Sequence, residues 1–290
     1  MLFLAMMLPY AFQDDGGLGE HFPEPETAVN TAPTRVRRST SELHLMVDKI
    51  TLPRFDDLME RPRVADFLER SAAQFGANLI SGRAQTGKSY AAVDLARRYK
   101  HVAWLSIDAT DTDWNVFSKY FAAAMGSKAT PPHEPTPEAI SAFLGKVFED
   151  KNKRLKGQDL LIVLDDLHHV FDAPWFEDLF SLLLSSALPN THLLLLCRSK
   201  PPLPLWRLRS KQVLNVVDEK MLAFDDEETA ELCGRLGLAE DLSRRVPANA
   251  FGRAGKVVDF LHSASAGQEN DAPRNTLDPV FLASIDPFVP

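Results

Sequence analysis

The sequence has few cysteines, no excess of positive charge and no sign of a metal-binding cysteine cluster. Its 290 residues contain two cysteines, Cys197 and Cys233. Two isolated cysteines predict neither a disulfide framework nor a metal site, and they favour a reducing, cytoplasmic compartment. The formal net charge of -8 disfavours a long phosphate-tracking surface, because nucleic-acid affinity rests largely on Lys and Arg. We therefore expect no nucleic-acid partner from this chain.

The N terminus lacks the positive charges that begin a secretory signal. Its apolar stretch, MLFLAMMLPYAF, resembles the core of such a signal but is too short for a membrane span of roughly 20 residues. A terminal stretch without a fold is favoured over a membrane or partner anchor. The following residues are rich in Asp, Glu, Pro, Gly and Thr, so we predict a disordered arm over residues 1–45.

Beyond this arm, short apolar runs alternate with amphipathic stretches. Strands are predicted at residues 77–80, 102–107, 160–164, 192–197 and 213–217. Helices are predicted at residues 63–74, 88–99, 113–125, 137–154 and 175–186. This alternation is typical of an α/β fold, in which a parallel sheet carries helices on both faces. The acidic residues after Phe224 favour a helix N terminus and indicate a small helical region that continues to about Ser265.

A glycine-rich loop joins the first predicted strand to the next helix. The run GRAQTGKS matches the phosphate-binding (Walker A) pattern GxxxxGK[ST] in full. Its glycines permit backbone conformations that let successive N–H groups converge on phosphates at the helix N terminus. Lys88 is predicted to reach the β- and γ-phosphates, and the Ser89 hydroxyl to bind Mg²⁺. The predicted nucleotide-binding residues are Gly82, Arg83, Ala84, Gln85, Thr86, Gly87, Lys88, Ser89 and Tyr90.

A second apolar run, LLIVLDD, ends in two acids, Asp165 and Asp166. A magnesium ion at a P-loop also needs a carboxylate at the end of a neighbouring strand, and buried carboxylates are costly without a cation or donors. Asp165 is therefore assigned to Mg²⁺, which it would bind through a water molecule. Asp166 is predicted to position or activate the attacking water. The alternative is that Asp166 only caps the next helix.

Three further residues lie near this predicted strand end. His168 and His169 are adjacent, so they do not share a helix face, and packing or hydrogen bonding is favoured over metal binding for His168. Arg198 follows the apolar run THLLLLC and should lie at the same sheet edge. There it could sense the γ-phosphate and contribute to catalysis, or it could be an ordinary surface arginine.

With these residues in place, the chain resembles the nucleotide-binding part of the STAND ATPases, in particular the MalT-like group of large LuxR-family regulators. The resemblance runs from about Lys49 to Ala264. Its landmarks are KITLPR, ERPRVADFLER, the P-loop, VAWLSIDATDTDWNVFSKYFAAAM, LLIVLDDLHHV, LLLLCRSKPPLPLWRLR and LAFDDEETAEL. The segment GRAGKVVDFL resembles a motif that usually reads GWATAL, so that Arg253 stands where a tryptophan is usual.

The resemblance implies a switch for signal transduction that is held off with ADP and turned on by ATP, with the helical region reporting the nucleotide. It places Arg61 near the adenine, and it matches Asp165, Asp166, His168 and Arg198 to the family's strand-end residues. Such regulators continue into a winged helix, a repeat sensor and a DNA-binding helix-turn-helix. We expect that the residues after the helical region are too few to form these domains. A transcription-activator function is therefore not carried over.

Together these observations predict a RecA/AAA-like P-loop NTPase domain at residues 46–222, a small helical domain at 223–266 and a tail at 267–290. The predicted function is an ATP/ADP-binding switch with slow Mg²⁺-dependent hydrolysis, which controls a protein partner or self-association. We expect no membrane association. The alternatives are a nucleotide-binding scaffold that does not hydrolyse, a fragment of a transcription regulator, and a P-loop kinase. A kinase should carry an arginine-rich lid and an acceptor site, and neither is evident.

Overall fold

A computed structural model describes residues 46–55, 59–186, 190–246 and 252–268, without the side chains of residues 240, 241 and 264–268. The predicted N-terminal arm and residues 269–290 of the predicted tail lie outside the described residues. Within them, five strands form one sheet: β1 (Ala77–Ser81), β2 (His101–Ser106), β3 (Leu160–Asp165), β4 (Thr191–Cys197) and β5 (Leu214–Asp218). All pairs are parallel, in the order β2-β3-β4-β1-β5. The predicted α/β class is confirmed.

The helices follow the predicted alternation closely. They are α1 (Pro62–Phe75), α2 (Lys88–Ala96), α3 (Trp114–Met125), α4 (Pro137–Leu155), α5 (Phe176–Ser186), α6 (Leu205–Ser210), α7 (Asp226–Arg235) and α8 (Ala254–Gln268). Helix α2 ends three residues before the predicted Tyr99, and α6 was not predicted because prolines crowd the sequence just before it. None of the described helices is both long and apolar enough to cross a membrane.

Local chemistry explains where two of the helices begin. Thr136 caps α4 by accepting from the Ala139 N–H at 3.3 Å, and a proline occupies the first turn, where no N–H is needed. Asp225 begins α7 with a reciprocal capping box, in which its side chain accepts from the Glu228 N–H while Glu228 accepts from the Asp225 N–H. The acidic sequence after Phe224 therefore marks a helix start, as predicted.

The sheet is buried on both faces. Successive side chains of each strand point to opposite faces, so the core consists of two clusters. On β3, Leu160, Ile162 and Leu164 pack with α3, α4 and α5, whereas Leu161 and Val163 pack with α1 and α2. A separate apolar cluster joins α7 and α8 in the helical region. Each of the two cysteines is buried, Cys197 at the end of β4 and Cys233 in the cluster of the helical region. The proposed domain boundaries remain predictions.

A buried ion pair anchors the first described segment to the turn that follows β2. The Lys49 ammonium lies 2.6 Å from Asp111 Oδ2 and 2.9 Å from Asp108 Oδ2, and the Asp111 side chain is fully buried. The ammonium also lies 4.5 Å from the centre of the Tyr120 ring, a favourable cation–π distance. Lys49 is thus part of the folded core.

Replacement of this lysine should destabilise the protein strongly. The change Lys49→Met removes the cation and leaves Asp111 buried without its partner, so the free energy of unfolding should fall by about 3–5 kcal/mol. Urea denaturation followed by circular dichroism measures the loss. The matched control Lys119→Met, at an exposed position of α3, should change stability by less than about 0.5 kcal/mol. Equal, small losses in the two variants would contradict the structural role of Lys49.

Candidate functional site

The loop between β1 and α2 has the backbone that the glycine pattern predicts. Gln85 and Gly87 both have positive φ, 63° and 85°, and Gly87 lies directly before α2. The Gly82 N–H donates to the Cys197 carbonyl at 3.1 Å, which fixes the start of the loop against β4. A Cβ on Gly82 would lie 2.8 Å from the Glu219 Cβ. The close approach at Gly82 and the left-handed conformation at Gly87 explain why these two positions require glycine.

Lys88 is buried and directed back into this loop. Its ammonium donates to the carbonyls of Gly82 and Arg83, each at 2.8 Å. Burial lowers the pKa of Lys88, although the negative charges of Asp166 and Asp165 oppose the shift. Thr86 closes the same turn by donating from Oγ1 to the Arg83 carbonyl at 2.9 Å. The lysine therefore lies where the loop backbone converges.

Glu219, which follows β5, holds the outer side of the loop. Its carboxylate accepts from the Arg83 backbone N–H at 2.9 Å and from the Arg83 guanidinium. The sequence offered no local signal for this contact, because the two residues are 136 positions apart. The arginine in the loop is thus partly committed to holding the loop against β5.

The structure brings Ser89 and Asp165 together, as the magnesium prediction requires. The Ser89 hydroxyl donates to Asp165 Oδ2 at 2.8 Å, and Asp165 Oδ1 accepts from the Asp166 N–H at 2.9 Å. Burial and the neighbouring charge of Asp166 raise the pKa of Asp165 to about 6. The half-buried Ser89 hydroxyl and the buried Asp165 carboxylate form a hard oxygen donor set, which suits Mg²⁺. The residues present therefore fit this ion.

Asp166, His168 and Arg198 form a looser group at the same sheet edge. Asp166 Oδ1 lies 3.8 Å from Arg198 Nε and 3.7 Å from His168 Nδ1. Burial lowers the pKa of His168 to about 4, so its ring is neutral at pH 7. Asp166 has a left-handed backbone, with φ of 54°, and its side chain makes no capping hydrogen bond to the short helix that follows. The geometry thus gives no support to a capping role.

An apolar cavity of about 340 Å³ adjoins the loop. It is lined by Met59, Arg61, Gln85, Gly87, Tyr90, Ala91, Asp94, Phe224, Leu232, Arg235, Leu236, Ala254, Gly255 and Val258. The Tyr90 ring stacks on Phe55, with 4.0 Å between ring centres. The predicted adenine residue, Arg61, is buried, and its guanidinium donates to Glu228 and to the carbonyls of Leu222 and Ala223. Arg61 thus borders the cavity, but its guanidinium is held by α7 and by the segment before it.

The start of α8 touches the phosphate loop directly. The Gly255 N–H donates to the Gln85 carbonyl at 2.9 Å, and Arg253 Nη2 donates to the Ala84 carbonyl at 2.9 Å. A Cβ on Gly255 would lie 2.5 Å from the Gln85 Cβ, so this contact needs a glycine. The arginine that replaces the expected tryptophan therefore binds the loop backbone. This contact was not predicted from the sequence.

The chain is similar to bacterial transcription regulators over about two thirds of its length. It is 29% identical over 189 residues to the HTH-type transcriptional regulator MalT of Vibrio cholerae. The aligned residues cover 62% of this chain and 21% of that protein. It is 28% identical over 206 residues to MalT of Vibrio parahaemolyticus, spanning 67% of this chain and 22% of that protein. The chain thus spans about a fifth of the length of these relatives. No protein-family profile matches it.

The fold is similar to that of a solved ATPase. A signal transduction ATPase with numerous domains (STAND) from Pyrococcus horikoshii, which has a tetratricopeptide repeat sensor, aligns with 80% of this chain and 33% of its own. The TM-score is 0.50 at 15% identity. The predicted resemblance to a MalT-like, STAND-type P-loop ATPase region is confirmed, as is the P-loop NTPase fold. The roles of individual residues in binding nucleotide or Mg²⁺ remain predictions.

Proposed function

We propose that this chain, whose P-loop region is similar to that of the MalT regulators, binds ATP or ADP with Mg²⁺ and acts as a nucleotide-controlled switch for a protein partner. It would hydrolyse ATP slowly to return to its ADP form. The observation that carries the proposal is the contact between Ser89 and Asp165 beside the loop that holds Lys88. Two parts of the chain that are 76 residues apart thus supply one compact cation and phosphate site.

Ser89 and Asp165 are the residues that would hold the metal. A bound Mg²⁺ neutralises phosphate charge and orients the phosphates for transfer to water. Its positive charge would also favour the ionised form of Asp165, whose pKa burial raises to about 6. Lys88 lies at the loop backbone, where phosphate oxygens could replace the Gly82 and Arg83 carbonyls as its acceptors.

The hydrolytic role falls to Asp166. It lies next to the buried Asp165 but is itself about 39% exposed, so it can reach a water at the sheet edge. The neutral His168 and the cation Arg198 both lie within 4 Å of its carboxylate. We assign Asp166 to orient and activate the attacking water, and Arg198 to contact the terminal phosphate. The wide spacing of this group is consistent with slow turnover.

The contact between α8 and the loop supports a switch rather than a plain hydrolase. Arg253 and Gly255 bind successive carbonyls of the loop, at Ala84 and Gln85. Any change of loop backbone on phosphate binding therefore acts directly on the start of α8. Arg61, which precedes α1, binds the helical region at a second place through its ion pair with Glu228 of α7. The helical region can thus report the nucleotide state.

The switch can be tested by sedimentation velocity with ADP and with a non-hydrolysable ATP analogue. The two nucleotides should give different sedimentation coefficients or different degrees of assembly, because they hold the helical region differently. The variant that tests the coupling is Arg253→Ala, which removes the hydrogen bond to the Ala84 carbonyl and leaves the lining of the cavity unchanged. This variant should bind both nucleotides and sediment alike with each. Identical behaviour of the wild-type protein with the two nucleotides would instead favour a passive binding module.

A further inference from the structure

The cavity beside the phosphate loop contains a buried carboxylate that the switch mechanism does not use. Asp94 lies on α2, six residues after Lys88, and is 8% exposed while it lines the cavity. Its Oδ2 accepts from the Arg61 N–H at 3.0 Å. Among the described residues, the carboxylate accepts no second hydrogen bond. A buried carboxylate with so few donors in an apolar wall is costly unless a ligand supplies another donor.

The other charged groups at this cavity are already engaged. The Arg61 guanidinium binds Glu228 and two backbone carbonyls, and Arg235 pairs with Glu231 at 2.8 Å. Among the described residues that line the cavity, Asp94 is the charged acceptor, whereas Arg61 and Arg235 present only donors. It offers an acceptor, and a ligand that fits must present a donor.

We propose that Asp94 reads the base of the bound nucleotide by accepting a hydrogen bond from the 6-amino group of adenine. This inference rests on the proposed function, since the cavity opens onto the loop that would hold the phosphates. Its apolar walls suit a flat purine, and its volume of about 340 Å³ lies in the range of small-ligand pockets. One carboxylate oxygen is committed to Arg61, so the arrangement suits a single amino donor better than the two adjacent donors of guanine.

Asp94 also has a structural role that the test must separate. Helix α1 begins after Arg61 without a side-chain cap, and Asp94 accepts from the Arg61 N–H at that helix end. An asparagine at position 94 can keep this bond through its amide oxygen. Its NH₂ group would then face the base and present a donor in place of the acceptor. Asp94→Asn therefore changes the chemistry of the cavity and retains the contact with α1.

The test compares ATP with inosine triphosphate, in which a carbonyl replaces the 6-amino group. Calorimetry should show that the wild-type protein prefers ATP by roughly tenfold or more, because a site built to bind an amino group rejects the analogue that lacks it. In Asp94→Asn the preference should fall by at least about tenfold and move towards inosine triphosphate. Asp259→Asn, at an exposed position of α8, should keep the wild-type ratio.

The outcomes separate this inference from the proposed function. Equal affinities of the wild-type protein for the two nucleotides would overturn the role of Asp94, whether or not the variant folds. An Asp94→Asn variant with the wild-type ratio would overturn it as well. A wild-type preference for GTP over ATP would overturn the adenine assignment, while the phosphate site would stand. Failure of every nucleotide to bind to the wild-type protein would overturn both proposals.

Discussion

Lys88→Ala should abolish nucleotide binding. The lysine is buried at the centre of the loop and donates to two of its carbonyls at 2.8 Å. Phosphate oxygens, which carry negative charge, would be stronger acceptors for the same ammonium. Loss of two charge-assisted hydrogen bonds should lower the affinity for ADP and ATP by at least about 100-fold. Isothermal titration calorimetry measures the change directly.

The control for this variant is Lys119→Ala, which removes the same charge from an exposed position of α3. It should leave both affinities unchanged. A thermal melt of each variant checks that the fold is retained, because Lys88 also stabilises the loop through its hydrogen bonds to the Gly82 and Arg83 carbonyls. Undiminished ADP affinity in a folded Lys88→Ala protein would refute the assignment of the loop.

Asp166→Asn should stop turnover and spare binding. The asparagine keeps the size of the side chain and removes the negative charge that orients and activates the water. Positioned acid–base groups contribute typically 10²–10⁴-fold, so we expect the rate of phosphate release to fall by about 100-fold or more. The affinity for ADP should change by less than about threefold, because Ser89, Lys88 and Asp165 are intact.

A nearby exposed carboxylate provides the control. Asp172→Asn removes the same charge six residues further along the chain and should hydrolyse ATP at the wild-type rate. Phosphate release must be compared after rigorous purification, because a slow enzyme is easily masked by contaminating ATPases. Equal rates for wild type and Asp166→Asn would remove Asp166 from the mechanism and favour binding without turnover.

Local patterns were enough to predict the sheet, most of the helices and the closeness of Ser89 and Asp165, whose binding of Mg²⁺ remains a prediction. Strand β1 runs into the loop that leads to Lys88 and Ser89, strand β3 ends in Asp165, and parallel strands bring such ends to one edge of the sheet. The contact between Ser89 and Asp165 follows from this geometry. These features depend on short-range sequence patterns, which is why they could be predicted.

The contacts that surround the loop could not be predicted in the same way. Glu219 on Arg83, Arg253 on Ala84 and Asp94 on Arg61 join residues that are 136, 169 and 33 positions apart. No spacing rule connects such pairs, because they depend on how the elements pack. Arg61 illustrates the limit, because the family resemblance predicts a place near the adenine for it, whereas nothing in the sequence indicates its hydrogen bonds to Glu228.

The two buried cysteines lie in different cores, and this makes them natural reporters of local opening. Cys197 ends β4, where its carbonyl holds Gly82, and burial raises the pKa of its thiol to about 12. Burial also raises the pKa of Cys233 in the helical region. A thiol reagent can react with either one only when its surroundings open. The labelling rates of the two thiols would therefore give the separate opening equilibria of the sheet and the helical region, without any introduced probe.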